Sequence, residues 1–328
     1  MIEPKQYLSE DVLKKSVRQE PIRAGFGRGL VEAAHINKDI VALCADLTAS
    51  TKMDEFAKSY PERFVEVGVA EQNLVTVAAG MALVGKTPFV SSYAAFSPGR
   101  NWEQIRTTIC LGDTNVKIVG SHAGISVGPD GATHQMLEDI ALMRVLPNMI
   151  VVVPADAVEA EKATMALAAK RGPAYIRLAR EKSPIVTTDK SPFSLSKAQV
   201  LRLGKDVTIV ACGTMVYQAL MAAEKLSKKG IEAEVINAAV VKPLDTITIA
   251  ASARKTGAVL TVEEAQIAGG LGGAVAEALA DHYPVPMRRL GMLDQFGESG
   301  TPDELLEHFG LTAPHIAAAA LDLCKRKG

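Results

Sequence analysis

The chain has 328 residues, which exceeds the usual size of a single hydrophobic core, so we expect two domains. Hydrophobic residues make up 48 % of it and aromatic residues 5 %, which is typical of an Ala-, Val- and Leu-rich α/β protein that covers part of its surface with partners. The formal net charge of -1 gives no electrostatic basis for nucleic acid or a membrane as the main partner, so any phosphate must be bound by local groups.

The opening segment MIEPKQYLSEDVLKK is polar and acidic rather than basic and apolar. No uninterrupted apolar run approaches the roughly 20 residues that span a bilayer, and we therefore expect a cytoplasmic protein. The four cysteines show no CxxC spacing and lie mostly in apolar segments, which predicts buried thiols rather than disulfides or metal ligands. They are Cys44, Cys110, Cys212 and Cys324.

Helix-period and strand-like segments alternate along the first half of the chain, from Ile22 to Arg180. This alternation predicts a βαβ domain, and the apolar run from Ile150 to Val153 is typical of a parallel strand covered on both faces. The predicted elements are a helix at 24–37, a strand at 40–46, a helix at 53–60, a strand at 63–68, a helix from 71, a strand at 88–93, a helix at 100–112, a strand at 116–121, a helix at 136–146, a strand at 149–155, a helix at 157–171 and a strand at 174–180.

A second βα series follows a segment rich in Pro, Ser, Thr and Lys that has no sustained period. Its predicted elements are a strand at 207–212, a helix at 216–229, a strand at 232–238, a helix at 247–255, a strand at 258–264, a helix at 272–283, a strand at 286–292 and terminal helices at 303–310 and 315–327. The sequence therefore predicts an α/β fold with two parallel-sheet βα domains in tandem. The predicted parts are an N-terminal arm (1–20), a first domain (21–185), a linker (186–199) and a second domain (200–328).

A single carboxylate, Glu71, lies between a short apolar strand and a helix that is apolar on nearly every side. Such a helix is expected to be buried. The helix N-terminus stabilises the carboxylate anion, whereas exclusion of water stabilises the neutral acid, so a group in this position is suited to exchange a proton. An isolated acid at a helix start more often only offsets the helix dipole, and the residue alone does not decide between the two.

Aromatic side chains precede a Pro-Gly turn in YAAFSPGRNWEQIR, residues 93–106. Rings at the positions of Tyr93 and Phe96 either stack on a ligand or pack into the core.

A glycine-rich segment, SHAGISVGPDGATHQ, spans residues 121–135. Its three glycines let the backbone approach a ligand beside His122, Asp130 and His134. Two imidazoles and a carboxylate would also suit a metal ion, although no local helix fixes them at ligand spacing.

The AGGLGGA run, residues 268–274, follows a predicted strand and opens a predicted helix, as dinucleotide-binding loops do. Its spacing is not GxGxxG, and no acidic residue lies at a second strand end about 20 residues further on. A glycine-rich strand-to-helix turn is therefore the favoured interpretation. A non-enzymatic phosphate- or nucleotide-binding module stays open as an alternative.

These segments together resemble the transketolases, thiamine diphosphate enzymes that move two-carbon ketol units. The resemblance depends on ERFVEVGVAEQN around Glu71, on segment 121–135, and on a Phe-x-x-Gly-Arg-x-Trp pattern that begins at Phe96. It runs from near residue 20 to the end of the chain. It implies a thiamine diphosphate pyrimidine-binding fold followed by a transketolase C-terminal-like domain, in which AGGLGGA is an ordinary turn.

The resemblance also implies a role for each matching side chain. The family's glutamate at the position of Glu71 hydrogen-bonds N1′ of the cofactor's aminopyrimidine and promotes loss of the thiazolium C2 proton, so Glu71 is the expected activating acid. The substrate set suits a sugar phosphate, because guanidinium groups, an imidazole and hydroxyl groups converge on one dianion. The expected catalytic residues are Glu71, His122 and His134; the expected cofactor contacts are Glu71, Phe96, Tyr93, Asp46 and Arg100; and the expected substrate contacts are Arg23, Ser50, His122, Asp130, His134 and Arg180.

The family's diphosphate- and metal-binding domain has no counterpart here, since its Gly-Asp-Gly opening occurs nowhere in the sequence. We therefore expect the smaller subunit of a two-chain transketolase with two copies of each chain. An N-terminal transketolase subunit would hold Mg²⁺ or Ca²⁺, and no metal ligand is expected on this chain. The resemblance implies sugar phosphate substrates and the pentose phosphate pathway, while the donor and acceptor sugars stay open. The β subunit of a 2-oxo acid dehydrogenase is the nearest alternative.

Overall fold

A computed structural model describes residues 1–14 and 16–327 of the chain. Among these residues the strands form two large sheets and a two-stranded ribbon, with helices packed against the sheets. Both large sheets are mostly parallel, which confirms the predicted α/β class with two sheets in tandem. No described helix is both long enough and apolar enough to cross a lipid bilayer.

The secondary structure follows the predicted alternation, with a helix between most successive strands of each sheet. The strands are β1 Gln19–Pro21, β2 Ile40–Cys44, β3 Phe64–Glu66, β4 Thr87–Tyr93, β5 Lys117–Ser121, β6 Ile150–Val152, β7 Ala174–Arg177, β8 Lys182–Pro184, β9 Gln199–Arg202, β10 Val207–Ala211, β11 Ala233–Asn237, β12 Val240–Lys242, β13 Val259–Gln266 and β14 Met287–Met292. The α-helices are α1 Ile22–Ile36, α2 Asp54–Ser59, α3 Glu71–Leu83, α4 Trp102–Gln104, α5 Asp139–Arg144, α6 Ala157–Ala169, α7 Met215–Ser227, α8 Thr246–Thr256, α9 Leu271–His282, α10 Pro302–His308 and α11 Ala313–Lys325. A π-helical segment, Ile105–Leu111, continues α4, and 3₁₀ helices span Pro4–Gln6, Pro61–Arg63 and Ile125–Asp130.

The first sheet brings the candidate residues to one edge. Its spatial order is β12-β6-β7-β5-β4-β2-β3, and the neighbouring pairs from β6 to β3 are parallel. Strands β2, β4 and β5 are buried almost throughout, as expected for strands that helices cover on both faces. Because parallel strands share their carboxyl ends, the segments after β2, β4, β5 and β7 converge where ligands of open α/β sheets bind.

The second sheet has the order β14-β13-β10-β11-β9, in which β9 is antiparallel to β11 and the other pairs are parallel. Strand β12, although it belongs to the second half of the chain, pairs with β6 of the first sheet, with Val240 opposite Val152. The predicted boundary at residue 200 therefore does not separate the two sheets. The sequence hides this strand because it is short and its partner lies far away along the chain.

The segment predicted as a linker is packed against the first domain. The Asp156 carboxylate accepts a hydrogen bond from the backbone N–H of Thr187 at 2.6 Å. Lys162 Nζ donates to the carbonyl groups of Thr188 and Ser191, each at 2.6 Å. The polar composition predicted a free connection, but its backbone groups are instead bonded to the charged side chains of the first domain.

Helix α3 is less buried than its apolar sequence predicts. The side that carries Leu74, Val75 and Ala78 packs into the core. On the other side Leu83 is 76 % exposed, and Val84, the next residue, is 79 % exposed. The expectation of burial on nearly every side is therefore wrong for the single chain, because no described element covers this face.

The cysteines have the predicted environment in three of four positions. Cys44, Cys110 and Cys212 are buried, Cys324 is half-buried, and all four are free thiols. Burial raises the pKa of the Cys110 thiol to about 11, which keeps it protonated and unreactive near neutral pH.

Candidate active site

Glu71 is the first residue of α3, and its side chain is 3 % exposed. Asn101 fixes this end of the helix, since its Nδ2 donates to the Glu71 carbonyl at 2.8 Å and to Ser97 Oγ at 3.1 Å. Arg100 Nη1 donates to Glu71 Oε2 at 3.1 Å. The other oxygen, Oε1, accepts no hydrogen bond from the described residues, so the carboxylate keeps acceptor capacity for an incoming donor.

The loop after β4 lays Arg100 over an aromatic ring. The Arg100 guanidinium carbon lies 4.2 Å from the centroid of Phe96, and the Arg100 side chain is 51 % exposed. A Cβ at Gly99 would come within 2.0 Å of the Ala95 carbonyl oxygen, so the turn accepts only glycine there. The Glu71 carboxylate and the Phe96 ring are thereby joined through one guanidinium group.

Four rings form a cluster that extends from this loop. Tyr93 and His122 are stacked, with centroids 3.8 Å apart and an angle of 28° between their planes. Phe96 lies 6.0 Å from Tyr93 and 5.4 Å from His134, which meets it edge-on at 73°. The structure therefore brings together four residues that the sequence places after two different strands, β4 and β5.

His122 is buried in a left-handed backbone conformation, with φ of 57° and 2 % exposure. The Ser121 hydroxyl lies 2.9 Å from its Nδ1. Burial, together with the positive charges of Arg23 and Arg180, lowers the pKa of His122 to about 3. The imidazole is therefore neutral near pH 7 and acts through hydrogen bonds rather than as a cation.

Two arginines form a positively charged corner beside His122. Arg23, on α1, donates through Nε to the Arg180 carbonyl at 3.1 Å and through Nη1 to the Ser50 carbonyl. Arg180 Nη1 donates to the Val127 carbonyl at 2.8 Å. Burial and the neighbouring Arg180 lower the pKa of Arg23, which still stays cationic at neutral pH. Because like charges this close repel each other, an anion bound between them would be stabilised.

The segment after β5 completes this corner. It contains the 3₁₀ helix Ile125–Asp130, and Asp130 Oδ1 accepts from Arg180 Nη1 at 3.4 Å. After the helix the chain returns to the ring cluster at His134. Asp130, His122 and His134 thus lie around the ring cluster and the arginine corner, and their expected contacts with substrate stay predictions.

The glycines of this segment allow a contact other than the expected one. A Cβ on Gly124 would lie 2.3 Å from Glu264 Oε1, and a Cβ on Gly131 would lie 2.5 Å from Ser299 Oγ. Both glycines have positive φ, which disfavours any other residue. The backbone approaches the second half of the protein itself, so the expectation that glycine serves ligand approach is wrong at these two positions.

Ser50 and Asp46 follow β2 but differ in their contribution. Ser50 reaches the corner through its backbone carbonyl, which accepts from Arg23. Asp46 is exposed, and its backbone N–H donates to Glu66 Oε1 at 2.6 Å. Among the described residues no hydrogen bond or ion pair links the Asp46 side chain to the ring cluster, so its expected contact with the cofactor stays a prediction.

The sequence did not predict the polar residues whose hydrogen bonds fix the segments of the site. Each hydrogen-bonds a segment that carries a motif residue, and each is buried, so its bonds depend on tertiary contacts that no local pattern shows. The one sequence feature that could have indicated them is a polar residue within or next to an apolar segment. These supporting residues are Asn101, Ser121, Gln135 and Glu264.

The glycine-rich turn at 268–274 does not present free anion-binding groups. Glu263, which is fully buried, accepts from the backbone N–H groups of Leu271 at 2.7 Å and Gly272 at 2.8 Å. A Cβ on Gly270 would lie 2.0 Å from Glu263 Oε2. The helix N-terminus that a phosphate would need is therefore occupied by the protein's own carboxylate, which argues against the nucleotide-binding alternative.

The site as a whole combines two chemical functions. A buried carboxylate beside aromatic rings is suited to exchange a proton with a heterocycle, and the adjacent arginine corner is suited to bind an anion. Within the described residues, no three His, Cys, Asp or Glu side chains are grouped as a metal site requires.

Comparisons with known proteins identify the family. Family models described as "Transketolase, pyrimidine binding domain" and "Transketolase, C-terminal domain" match residues 19–185 and 196–316. The 6-deoxy-6-sulfo-D-fructose transketolase subunit SqwH of Clostridium sp. (strain MSTE9) is 46 % identical over 298 residues, which cover 91 % of this chain and 92 % of that one. A subunit of the apulose-4-phosphate transketolase of Phocaeicola vulgatus is 39 % identical over 305 residues, which cover 93 % of this chain and 97 % of that one.

A solved structure has the same fold over nearly the whole chain. It is described as a split-gene transketolase in an inactive β4 tetramer, and it has a TM-score of 0.88 and 49 % identity, covering 94 % of this chain and 99 % of that one. The family predicted from the motifs around Glu71 and segment 121–135 is thereby confirmed. The chain belongs to the transketolase family, of which it carries the pyrimidine-binding and C-terminal domains.

Proposed function

We propose that the chain is the smaller catalytic subunit of a two-chain, thiamine diphosphate-dependent transketolase that transfers a two-carbon ketol unit between sugar phosphates. The observation that carries this proposal is the buried Glu71 carboxylate, which Arg100 joins to the Phe96 ring of the ring cluster. His122 of the same cluster experiences the positive charges of Arg23 and Arg180. One side of the site suits a heteroaromatic cofactor, and the other suits a phosphorylated sugar.

The cofactor side offers the groups that an aminopyrimidine requires. Glu71 Oε1 is available to hydrogen-bond and exchange a proton with a ring nitrogen, and Phe96 and Tyr93 offer a stacking surface. Arg100 holds the carboxylate through Oε2. When bound, thiamine diphosphate supplies the carbanion chemistry of ketol transfer. This chain's residues hold the ring, exchange one proton and exclude water, while the diphosphate and its Mg²⁺ or Ca²⁺ are assigned to the partner.

The substrate side is assigned to the arginine corner and the ring cluster. Arg23 and Arg180 bind the dianion as guanidinium forks, and neutral His122 adds a hydrogen bond. His134 is assigned to a sugar hydroxyl near the reacting carbon, because it lies 5.4 Å from the Phe96 ring. Asp130 is assigned to a neighbouring hydroxyl, because it lies beside Arg180. Two relatives are named for a sulfo-sugar and for a sugar phosphate, and both names describe sugars with an anionic group.

The partner chain is assigned to the exposed apolar face beside Glu71. Val69 is 70 % exposed just before α3, and Val84 is 79 % exposed just after it. Gly80 lies one turn before Val84, and a Cβ there would meet nothing within 4 Å. A helical glycine costs about 1 kcal/mol relative to alanine, so close approach of another subunit explains its presence at an unhindered position. Exposed apolar patches of this kind mark protein interfaces.

The first test measures ketol transfer with thiamine diphosphate and Mg²⁺, for this chain alone and mixed with an N-terminal transketolase chain. We expect activity only from the mixture, and full activity of the lone chain would refute the two-chain arrangement. The relative described as an inactive β4 tetramer supports this expectation. Decarboxylation of 2-oxo acids without ketol transfer would instead favour the 2-oxo acid dehydrogenase alternative.

The role of Glu71 is tested in the assembled enzyme by exchange of the cofactor's C2 proton in deuterated water. Glu71→Ala should abolish this exchange, because the carboxylate that exchanges a proton with the pyrimidine is removed. Glu103→Ala is the matched control, since Glu103 is an exposed glutamate on neighbouring α4. Wild-type exchange in Glu71→Ala would remove this residue from its assigned role.

A further inference from the structure

Two neighbouring glutamates near the end of β13 are buried but bind different parts of the protein. Glu263 is fully buried and Glu264 is 3 % exposed. Glu263 accepts from backbone N–H groups at the start of α9, within its own half of the chain. Glu264 points to the opposite side and bonds the segment of the first domain that carries the substrate residues. Because a buried carboxylate is unfavourable without strong partners, both sets of bonds require an explanation.

Both carboxylate oxygens of Glu264 are used at the domain junction. Oε1 accepts from the backbone N–H of Ser126 at 2.6 Å, and Oε2 accepts from Thr214 Oγ1 at 2.7 Å. The Glu264 carbonyl accepts from Arg177 Nη2 at 2.8 Å, which ties the same residue to the end of β7. Gly124 leaves the space that this carboxylate fills, since a Cβ there would lie 2.3 Å from Oε1.

Gln135 provides a second link between the same two parts. Its side chain is buried, and Nε2 lies within hydrogen-bond distance of the carbonyls of Ile125 at 3.1 Å and Gly128 at 3.2 Å. The same Nε2 donates to the Glu298 carbonyl at 2.8 Å, in the second half of the chain. The 3₁₀ helix is therefore held at its start by Glu264 and along its length by Gln135.

We propose that Glu264 is a positioning residue through which the C-terminal domain sets the geometry of the sugar phosphate site. Its target is the 3₁₀ helix Ile125–Asp130, whose Val127 carbonyl and Asp130 carboxylate both accept from Arg180. Loss of the Glu264 carboxylate releases the start of this helix, so the two acceptors that the helix supplies to Arg180 are no longer fixed, and of the described residues only the neighbouring Glu181 remains. Among the described residues, the Glu264 carboxylate bonds Ser126 and Thr214 and makes no hydrogen bond to the ring cluster or to Arg23 and Arg180. The effect of Glu264 on sugar phosphate binding rests on the proposed function. Its hold on the 3₁₀ helix does not depend on that function.

The first experiment follows amide hydrogen exchange of the full chain by mass spectrometry and does not depend on activity. Glu264→Ala should speed exchange in peptides that cover Ser126 by on the order of 10- to 100-fold, as expected for loss of one charge-assisted hydrogen bond. Glu263→Ala is the matched control and should speed exchange at Leu271 and Gly272 while leaving Ser126 protected. Unchanged exchange at Ser126 in Glu264→Ala, or an equal increase at Ser126 in both variants, would overturn the proposal.

The second experiment uses the enzyme assembled with its partner chain. Glu264→Ala should raise KM for the ketose phosphate about 10-fold or more, with a smaller effect on kcat and with thiamine diphosphate affinity unchanged. Glu264→Gln should restore most of the wild-type KM, because its amide oxygen still accepts from Ser126 and its amide N–H can donate to Thr214 Oγ1, which reverses the direction of that one bond. A parallel loss of thiamine diphosphate affinity, or a Glu264→Gln variant as impaired as Glu264→Ala, would indicate a general structural role and refute positioning. An inactive wild-type assembly would refute the proposed function, and the exchange measurement would still decide the role of Glu264.

Discussion

Replacing His122 by glutamine is expected to change how the stability of the chain depends on pH. The side chain is 2 % exposed, and burial together with Arg23 and Arg180 lowers the pKa of His122 to about 3. An unburied imidazole has a pKa of about 6.5. The difference of about 3.5 pH units means that placing a proton on His122 in the folded chain costs about 5 kcal/mol.

This cost makes the folded chain less stable in acid. Because the pKa of His122 is lower in the folded chain than in the unfolded chain, its contribution to stability is complete above about pH 6.5 and is lost as the pH falls toward 3. Between pH 7.5 and pH 4.5 the wild-type chain should lose about 2.7 kcal/mol of unfolding free energy from this group alone. His122→Gln removes the titrating group. Over the same pH interval the unfolding free energy of this variant should therefore fall by about 2.7 kcal/mol less than that of the wild-type chain.

Urea unfolding at pH 7.5 and pH 4.5, followed by circular dichroism, measures both free energies. His35→Gln is the matched control, because His35 is an exposed histidine near the end of α1, and this variant should show the wild-type difference. If His122→Gln and the wild-type chain lose the same free energy between the two pH values, the reasoning from burial and the two arginines is refuted.

Two further predictions concern buried carboxylates outside the ring cluster. Burial raises the pKa of Glu159 to about 7. Its contribution to the unfolding free energy is therefore complete below about pH 4.5 and is lost as the pH rises through 7. Glu159→Gln removes this titration, so the variant should lose less unfolding free energy with rising pH than the wild-type chain. Unfolding free energies at pH 5 and pH 8 measure this, and equal pH dependence of the two chains would contradict it. Gly270→Ala should lower the unfolding free energy by about 1–3 kcal/mol, because its Cβ would lie 2.0 Å from Glu263 Oε2. In the control Gly273→Ala the nearest atom is 3.6 Å away, and equal urea midpoints for the two variants would contradict the steric argument.

The sheets were predictable because a buried parallel strand is apolar along its whole length, and the sequence shows this directly. The strand predicted at 207–212 is observed as Val207–Ala211, and the helix predicted at 216–229 is observed as Met215–Ser227. Strand β12 was not predicted, because its three residues carry no pattern and its place beside β6 is decided by tertiary packing.

In the candidate site, too, some contacts follow from the local sequence pattern and others depend on tertiary packing. Tyr93 ends β4 and His122 follows β5, so strand order and the shared carboxyl edge of a parallel sheet made their proximity predictable. The hydrogen bond from Asn101 to the Glu71 carbonyl, and the one from Ser126 to Glu264, join segments whose separation along the sequence gives no sign of contact. Both bonds depend on tertiary packing, which brings each buried polar group to its partner.

The arginine corner is formed by residues of this chain alone, whereas the helix that begins at Glu71 leaves an apolar face uncovered. On the anion side, Arg23 and Arg180 are held by carbonyl groups of the same chain, and Glu264 fixes the segment that supplies one of these acceptors. On the carboxylate side, Glu71 starts a helix whose outer face is apolar and exposed, from Val69 before it to Val84 after it. A second chain would therefore add little to the arginine corner, whereas it would cover the apolar face and exclude water around the carboxylate. In the proposed two-chain enzyme, the partner chain would therefore contribute to the carboxylate side of the site rather than to the arginine corner.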